Sequence, residues 1–248
     1  MPTHDAFQWP NGKRAALSLS YDDARLTQVD NGIPILDSIG IKATFYVVAP
    51  NVEKRLDVWR AAVRAGHEIG CHTLNHPCTG NFGFSRDHAL EDYSLDQMEA
   101  ELTGANAAIE KLLGVRPETF AYPCGQKFVG RGERVQSYVP LVARHFIVGR
   151  GFCDEYPNDP LRCDLAQAGG MDMDRQSADG LKGLARIALD SGGWVILCGH
   201  EMGIQGRQAT DRAAIEEFGR YLADPGTGLW VDTVLNIGRY IQSRRGTK

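Results

Sequence analysis

The chain has 248 residues, of which 43% are hydrophobic and 23% are charged, so its composition is that of an ordinary globular protein and not of a disordered one. Its formal net charge is −4 and no basic stripe or tail stands out, so nucleic acid is not an expected partner. No apolar run approaches the length of a membrane span, so a membrane is not an expected partner either. We expect a single domain over residues 1–248, with its core at about residues 14–243. Nothing in the sequence indicates an oligomeric state.

The first twelve residues, MPTHDAFQWPNG, contain neither a basic nor an apolar stretch of the kind found in secretory signals. This favours a cytoplasmic protein, and a secreted protein whose signal has been removed is the alternative. The six cysteines form no CxxC pair, which argues against a zinc knuckle. We expect free thiols if the protein is cytosolic, although Cys153 and Cys163 could close a loop.

Short apolar runs alternate with helical patterns along the chain, which indicates successive βα units and a parallel sheet. The first predicted strand is Ala15–Tyr21, and a short helix near Pro34–Ile39 follows it. The predicted strand Thr44–Val48 is rich in β-branched and aromatic residues. A helix over Asp57–Ala65 and a strand over His67–Cys71 complete the first third of the chain.

The longest predicted helix covers about Leu90–Leu113, where apolar residues recur at steps of four and three. The remaining predicted strands are Thr119–Tyr122, His145–Val148, Trp194–Cys198 and Leu229–Val231, and the remaining predicted helices are Ala178–Asp190, Arg212–Leu222 and Val234–Gln242. About seven βα units result. This number predicts a distorted (β/α)7 barrel that is similar to a TIM barrel, with a doubly wound open sheet as the alternative.

Acidic and imidazole residues follow the C-terminal ends of three predicted strands, where α/β barrels place their active sites. Asp22 and Asp23 follow the first strand, His72 follows the third, and His200 follows Trp194–Cys198. Since adjacent strand residues point to opposite faces, both carboxylates can face one point only if the strand ends in a turn. One carboxylate can then bind a metal while the other accepts a proton. Capping of the next helix is the alternative.

His72 and His76 are four residues apart, so within one helical turn their imidazoles could face the same point. Two imidazole nitrogens and a carboxylate oxygen suit a divalent metal such as zinc. The spacing is a weak signal by itself, because chance pairs are common and Pro77 ends any helix there. Two loop histidines that cap turns are the alternative, and the spacing alone favours it.

Four segments of the chain, in this order, resemble the motifs of a known family. They are SLSYDDA (Ser18–Ala24), GHEIGCHTLNH (Gly66–His76), FAYPCG (Phe120–Gly125) and VILCGH (Val195–His200). The chain therefore resembles the polysaccharide deacetylase superfamily, carbohydrate esterase family 4, over roughly residues 15–240. The resemblance implies a metal-dependent hydrolase that removes N-acetyl groups from the sugars of a polysaccharide or oligosaccharide similar to chitin or peptidoglycan.

The resemblance also implies a role for each matching residue. Asp23, His72 and His76 would bind the metal, which we expect to be zinc, with cobalt or nickel as alternatives. Asp22 would be the general base. His200 would be the general acid that protonates the leaving amine.

The third motif departs from the family pattern. Ala121 stands where the family has an arginine that orients the base, and Arg150 is our candidate for its replacement, with an ordinary loop arginine as the alternative. Cys124 stands where the family has a tyrosine, and its backbone N–H would be an oxyanion donor. Ala24 replaces the usual glycine after the aspartate pair. We find no aspartate–tryptophan motif in Arg150–Asp164.

Tyr122, Cys198 and Trp230 are expected to line the substrate pocket, with a place in the core as the alternative for Trp230. Cys198 replaces the leucine of the last motif. His88 and the loop Asn81–Phe84 follow the metal motif and could form part of the substrate groove, although a plain surface loop is the favoured interpretation. The departures leave two alternatives open. One is an amide hydrolase of the same superfamily that acts on a small or cyclic amide such as a ureide. The other is a barrel that binds metal but has lost catalysis.

Overall fold

The computed structural model describes residues 7–245. Its strands are Ala15–Asp22 (β1), Thr44–Val47 (β2), Glu68–Cys71 (β3), Thr119–Ala121 (β4), Phe128–Val129 (β5), Gln136–Ser137 (β6), Val148–Arg150 (β7), Met171–Asp172 (β8), Trp194–Gly199 (β9), Glu201–Met202 (β10), Ala209–Thr210 (β11) and Leu229–Val231 (β12). Its α-helices are Ile33–Ile39 (α1), Ala49–Val52 (α2), Leu56–Arg64 (α3), Leu95–Leu113 (α4), Val139–His145 (α5), Ala178–Ser191 (α6), Arg212–Ala223 (α7) and Val234–Arg245 (α8).

Eight parallel strands form the main sheet, in the order β7-β4-β3-β2-β1-β9-β8, with β12 also paired to β1. The strand β1 pairs with β2 through Ser20–Asp22 and with β12 through Ala15–Leu17. A bridge between Arg150 and Ala168 brings the edge strand β7 close to the segment that enters β8. The sheet is therefore curled into a distorted (β/α)7 barrel, as the sequence predicts, and not an open doubly wound sheet.

The first strand lies at the centre of the core. All eight residues of β1 are buried, because helices cover a parallel sheet on its outer face. The helix α4 shows how local sequence sets an element's ends. Ser94 and Gln97 form a capping box at its start, and Gly114 ends it in a left-handed conformation with φ 72°.

Two sequence predictions about elements are wrong. The predicted strand His145–Val148 is the end of helix α5 followed by the start of β7. Pro140 lies in the first turn of α5, a position that favours a helix. Leu141 and Val142 are buried on the inner face of α5, and this packing stabilises the helix. The predicted long helix begins at Leu95 instead of Leu90, because the Ser94 cap starts it.

No helix within residues 7–245 combines the length and the apolar character that a membrane crossing requires.

Candidate metal centre and active site

The aspartate pair lies where the first strand ends. Asp22 is the last residue of β1, and Asp23 and Ala24 follow it with φ values of 77° and 53°. This left-handed conformation costs non-glycine residues about 1–2 kcal/mol, which explains why the related family usually has glycine after the pair. The Asp23 N–H donates to the Tyr46 carbonyl over 3.0 Å, and Asn51 Nδ2 donates to the Asp23 carbonyl over 2.9 Å. The turn therefore exists, and both carboxylates face one cavity.

The two histidines of the second motif lie on an irregular loop and not on a helical turn, which corrects the sequence prediction. Thr73 and His76 have φ values of 64° and 52°, so this segment does not have the backbone conformation of an α-helix. The Thr73 hydroxyl accepts a hydrogen bond from the His76 N–H over 3.0 Å. The pair nevertheless converges, with ring centroids 4.8 Å apart.

Glu101, a buried residue of α4, holds this loop in place. Its carboxylate accepts hydrogen bonds from the N–H groups of Leu74 and Asn75, each over 2.9 Å, and from Asn75 Nδ2 over 2.7 Å. With the Tyr93 hydroxyl, which donates to Glu101 Oε1 over 3.0 Å, four donors satisfy the buried carboxylate. Glu101 therefore fixes the segment between the two imidazoles, a role that the sequence analysis missed.

Asp23, His72 and His76 bring one donor atom each to a common point, and all three atoms lie within 4.8 Å of one another. Asp23 Oδ1 lies 3.6 Å from His72 Nε2 and 3.5 Å from His76 Nε2. In a tetrahedral zinc shell with bonds of about 2.0–2.2 Å, neighbouring ligand atoms are about 3.3–3.6 Å apart. His72 Nδ1 donates to the Ala121 carbonyl over 2.9 Å, which leaves Nε2 free to face that point. The donor set therefore fits a divalent metal.

The charge states of these groups also suit ligation. Burial opposes the charged form of Asp23, but the nearby His72, His76 and Arg25 charges lower its pKa to about 2. Burial lowers the pKa of His72 to about 4. A carboxylate and a neutral imidazole are the forms that bind a metal.

Arg25 contacts the other oxygen of Asp23 and was missed by the sequence analysis. Its Nε and Nη2 donate to Asp23 Oδ2 over 3.1 and 2.9 Å. Its Nη1 and Nη2 also reach Glu201 Oε1 over 3.3 Å and Gln208 Oε1 over 3.0 Å. Arg25 therefore fixes the orientation of the Asp23 carboxylate, with Oδ1 turned toward the histidines.

Asp22 forms a buried ion pair with Arg150. Arg150 Nη2 donates to Asp22 Oδ1, and Nη1 donates to the Gly151 carbonyl over 2.9 Å. Arg150 is fully buried and its guanidinium lies 4.8 Å from the centre of the Tyr46 ring. Arg150 therefore contacts the Asp22 carboxylate, which is the group that the family's missing arginine would contact. The other oxygen, Asp22 Oδ2, lies on the side of His72, 4.0 Å from its Nε2.

His200 is held by Asp174, a residue that the sequence analysis did not select. His200 Nδ1 donates to Asp174 Oδ2 over 2.7 Å, and the His200 N–H donates to Asp174 Oδ1 over 3.1 Å. Burial would lower the pKa of His200, but the hydrogen bond to Asp174 and the charges of Asp22 and Asp174 raise it. Phe152 packs edge-on against the imidazole at 5.6 Å.

A disulfide joins Cys78, two residues after His76, to Cys124. The expectation of free thiols is therefore wrong for this pair, because the fold brings together two residues that are 46 apart in sequence. Cys153 and Cys163 are free, so the loop that they could close is not formed within the described residues. Cys124 has a φ of 53°, inside the short turn Pro123–Gly125.

These side chains share a cavity of about 770 Å³. Its wall contains every residue to which the family resemblance gives a chemical role: Asp22, Asp23, His72, His76, Cys124 and His200. Arg150 lies beneath the wall, behind Asp22.

Tyr122 and Cys198 do not line this cavity, which corrects the sequence expectation. Tyr122 is fully buried, and its hydroxyl donates to the Ala166 carbonyl over 2.6 Å. Cys198 is also fully buried, with its thiol 3.7 Å from the Ser20 hydroxyl. Both side chains therefore pack inside the barrel wall and outside the cavity.

Trp230 does not line the cavity either. It pairs in register with Ala16, near the start of β1, whereas the cavity lies at the other end of that strand. Its ring packs against Trp9 at 6.1 Å and Tyr240 at 5.1 Å. Trp230 is therefore part of an aromatic cluster at the opposite end of the barrel.

The sequence profile of the family described as "Polysaccharide deacetylase" matches residues 10–136, about half of the chain. The chain belongs to the polysaccharide deacetylase family. Chitin deacetylase 1 from Cryptococcus neoformans is 34% identical over 107 residues, which cover 43% of this chain and 20% of that relative. A gellan lyase from a Bacillus species is 24% identical over 260 residues, which cover 95% of this chain and 10% of that relative. The chain thus spans a fifth or less of the length of these relatives.

The same fold occurs in a solved structure from Mycobacterium smegmatis that is described as a polysaccharide deacetylase. It superposes with a TM-score of 0.72 at 18% identity, and the match covers 98% of this chain and 95% of the other. At this identity the likeness shows the fold alone, and it agrees with the distorted (β/α)7 barrel described above.

Proposed function

We propose that this polysaccharide deacetylase family member is a metal-dependent hydrolase that removes N-acetyl groups from N-acetylated sugars of a polysaccharide or oligosaccharide. The observation that carries the proposal is the convergence of Asp23, His72 and His76 on one point, beside Asp22 and His200 in the same cavity. The donor set, two imidazole nitrogens and one carboxylate oxygen, suits zinc, and cobalt or nickel would also suit it. A bound metal would supply a Lewis acid that polarises the acetyl carbonyl and lowers the pKa of the attacking water.

Asp22 is the proposed general base. Arg150 holds its Oδ1, so Oδ2 is the oxygen that is free to accept a proton from the attacking water. Arg150 is therefore a positioning residue that would do the work of the family's missing arginine.

His200 is the proposed general acid. Because Nδ1 donates to Asp174, Nε2 is the nitrogen that faces the cavity. The raised pKa of His200 favours the imidazolium, which can give its Nε2 proton to the leaving amine nitrogen of the sugar. Asp174 would then stabilise the charged ring before the transfer and keep its orientation afterwards.

The backbone N–H of Cys124 is the proposed donor to the oxyanion that forms when water attacks the acetyl carbon. Donors of this kind stabilise the transition state by about 2.7–4 kcal/mol in other hydrolases. The positive φ of Cys124 and its disulfide to Cys78 fix the turn that carries this N–H beside the metal loop. The cysteine side chain would have a structural role only.

The disulfide also bears on where the protein works. Disulfides form and persist in oxidising compartments and are rare in the cytosol. We therefore favour the secreted alternative over the cytoplasmic one, and an extracellular glycan would be accessible there.

The test is acetate release from N-acetylglucosamine oligomers and peptidoglycan fragments by protein loaded with zinc, cobalt or nickel. We expect acetate release from at least one glycan. In Asp22→Asn, kcat should fall by a factor on the order of 10²–10⁴, because the base can no longer accept a proton. Hydrolysis of a panel of ureides and cyclic imides distinguishes this proposal from the alternative of a hydrolase that acts on small amides. Absence of acetate release from every glycan, with turnover of a cyclic amide, would contradict the proposal.

A further inference from the structure

Two phenylalanines stand exposed at the edge of the cavity. Phe82 and Phe84 are 45% and 69% exposed, and their rings stack with centroids 5.4 Å apart and planes at 16°. The Phe84 ring lies 6.0 Å from the ring of the proposed metal ligand His76. Exposed apolar patches of this kind beside a site commonly mark a ligand contact. The interpretation of this loop as plain surface does not explain why both aromatic rings line the cavity.

The loop that carries the two rings is held in place on several sides. The Ser85 hydroxyl is buried, donates to the Cys78 carbonyl over 3.0 Å and accepts from the Cys78 N–H over 2.8 Å. The Thr79 N–H donates to Gln126 Oε1 over 2.7 Å. The disulfide from Cys78 to Cys124 ties the same loop to the proposed oxyanion turn. The rings are therefore presented on a fixed segment, as a binding surface requires.

The cavity wall also contains polar side chains. Asn51, Gln126, Arg207 and Gln208 contribute amide and guanidinium groups that can bond to hydroxyls. A pyranose ring has an apolar C–H face and a rim of hydroxyl groups. One aromatic surface and several amides in a shared cavity match that pattern better than they match a uniformly apolar ligand.

We propose that Phe82 and Phe84 form a stacking platform for a second sugar ring, next to the ring whose acetyl group is removed. The site would then prefer an oligomeric or polymeric glycan over a single sugar or a small amide. This inference rests on the proposed function and deepens it by naming two specificity-determining residues. Both act on binding of the neighbouring ring and not on the reacting atoms.

The experiment compares Phe82→Ala, Phe84→Ala and Phe84→Trp with the unsubstituted chain, on N-acetylglucosamine and its dimer to hexamer. The alanine variants should raise KM for the oligomers by about 2- to 10-fold each, the range expected for one aromatic contact. They should leave kcat, the KM of the single sugar and the metal affinity unchanged. Phe84→Trp should keep or lower the oligomer KM, because it preserves the flat surface.

Leu161→Ala is the matched control, because Leu161 is also an exposed apolar residue, with 49% of its surface accessible. It follows Asn158, which pairs with Trp194 at the start of β9, so it lies at the end of the barrel opposite the cavity. This variant should change no parameter. Equal effects of Phe84→Ala on single sugar and hexamer, or no effect on either, would overturn the platform. Concentration-dependent dimerisation that Phe84→Ala abolishes would also overturn it, by assigning the rings to a second copy of the chain.

A failure of the proposed function is distinguishable from a failure of the platform. If the unsubstituted chain releases no acetate from any glycan, direct calorimetric binding of the hexamer replaces the kinetic readout. Hexamer binding that weakens in Phe84→Ala would support the platform without deacetylation. Absence of hexamer binding would overturn it.

Discussion

The buried pair between Asp22 and Arg150 gives a prediction that depends on the fold and not on any substrate. Asp22 is 3% exposed and Arg150 is 0% exposed, so each charge has lost nearly all of its water. Arg150→Met keeps the length and apolar volume of the side chain but removes the guanidinium. Asp22→Asn keeps the shape of the carboxyl group but removes its charge.

Each single variant leaves one buried charge without its partner, which costs about 3–5 kcal/mol in the free energy of unfolding. The double variant removes both charges, and a neutral replacement of a buried pair is often no less stable than the pair itself. We therefore expect the loss in the double variant to fall short of the sum of the single losses by about 3 kcal/mol or more. Arg186→Met, at an exposed arginine, should change stability by less than about 0.5 kcal/mol.

The assay is guanidinium unfolding followed by circular dichroism, with the protein kept metal-free because a bound metal would add its own stabilisation. The dependence of the unfolding free energy on denaturant should be the same in all variants. Additivity of the two single losses to within about 0.5 kcal/mol would mean that the two side chains do not interact. That result would refute the pairing and the role proposed for Arg150.

Three further predictions concern groups around the site. In Asp174→Asn the basic limb of the pH–kcat profile should move to lower pH. The loss of the negative charge lowers the pKa of His200, so its protonated form is lost at a lower pH. A basic limb at the same pH would show that Asp174 has no role in the mechanism. Arg25→Ala should weaken zinc affinity by about 10- to 100-fold, because Asp23 loses the group that orients it, and competition against a chromogenic chelator measures this. Unchanged affinity there would make Arg25 a surface contact only. Cys78→Ser should destabilise the chain by up to about 4 kcal/mol in the chain-entropy model for a 46-residue separation, and reduction of the unsubstituted chain should cost the same amount.

Features that depend on local sequence could be predicted. The strand and helix patterns of the sequence predicted nearly every βα unit. In such a fold the C-terminal ends of the parallel strands meet at one rim. The positions of Asp22, Asp23, His72 and His200 at strand ends therefore follow from the sequence. The family resemblance predicted which of them would act together, and it identified the missing arginine for which Arg150 is the proposed replacement.

Features that depend on contacts distant in sequence could not be predicted. Asp174 follows β8, a strand of two residues that is too short to show any periodicity. The Cys78–Cys124 bond depends on the approach of two loops, and no spacing rule identifies such a pair. Arg25 has no special pattern around it. A turn with positive φ, visible only in the structure, brings it back onto Asp23.

The pocket wall was predicted least well, and the reason is geometric. Which side of a strand a residue faces, and at which end of the barrel it lies, depend on register. Trp230 is in register with the start of β1, so it lies at the far end from the candidate metal centre. The aromatic residues that do line the cavity, Phe82 and Phe84, belong to a loop without a periodic pattern.

The most direct test of the central claim is acetate release from one acetylated oligosaccharide by metal-free protein before and after zinc is restored. The same titration is run on His76→Ala, with bound zinc counted in both proteins. We predict no release without metal, recovery as one zinc binds per chain, and neither binding nor recovery in His76→Ala. Full acetate release by the metal-free protein, or one zinc retained with full activity in His76→Ala, would contradict the account.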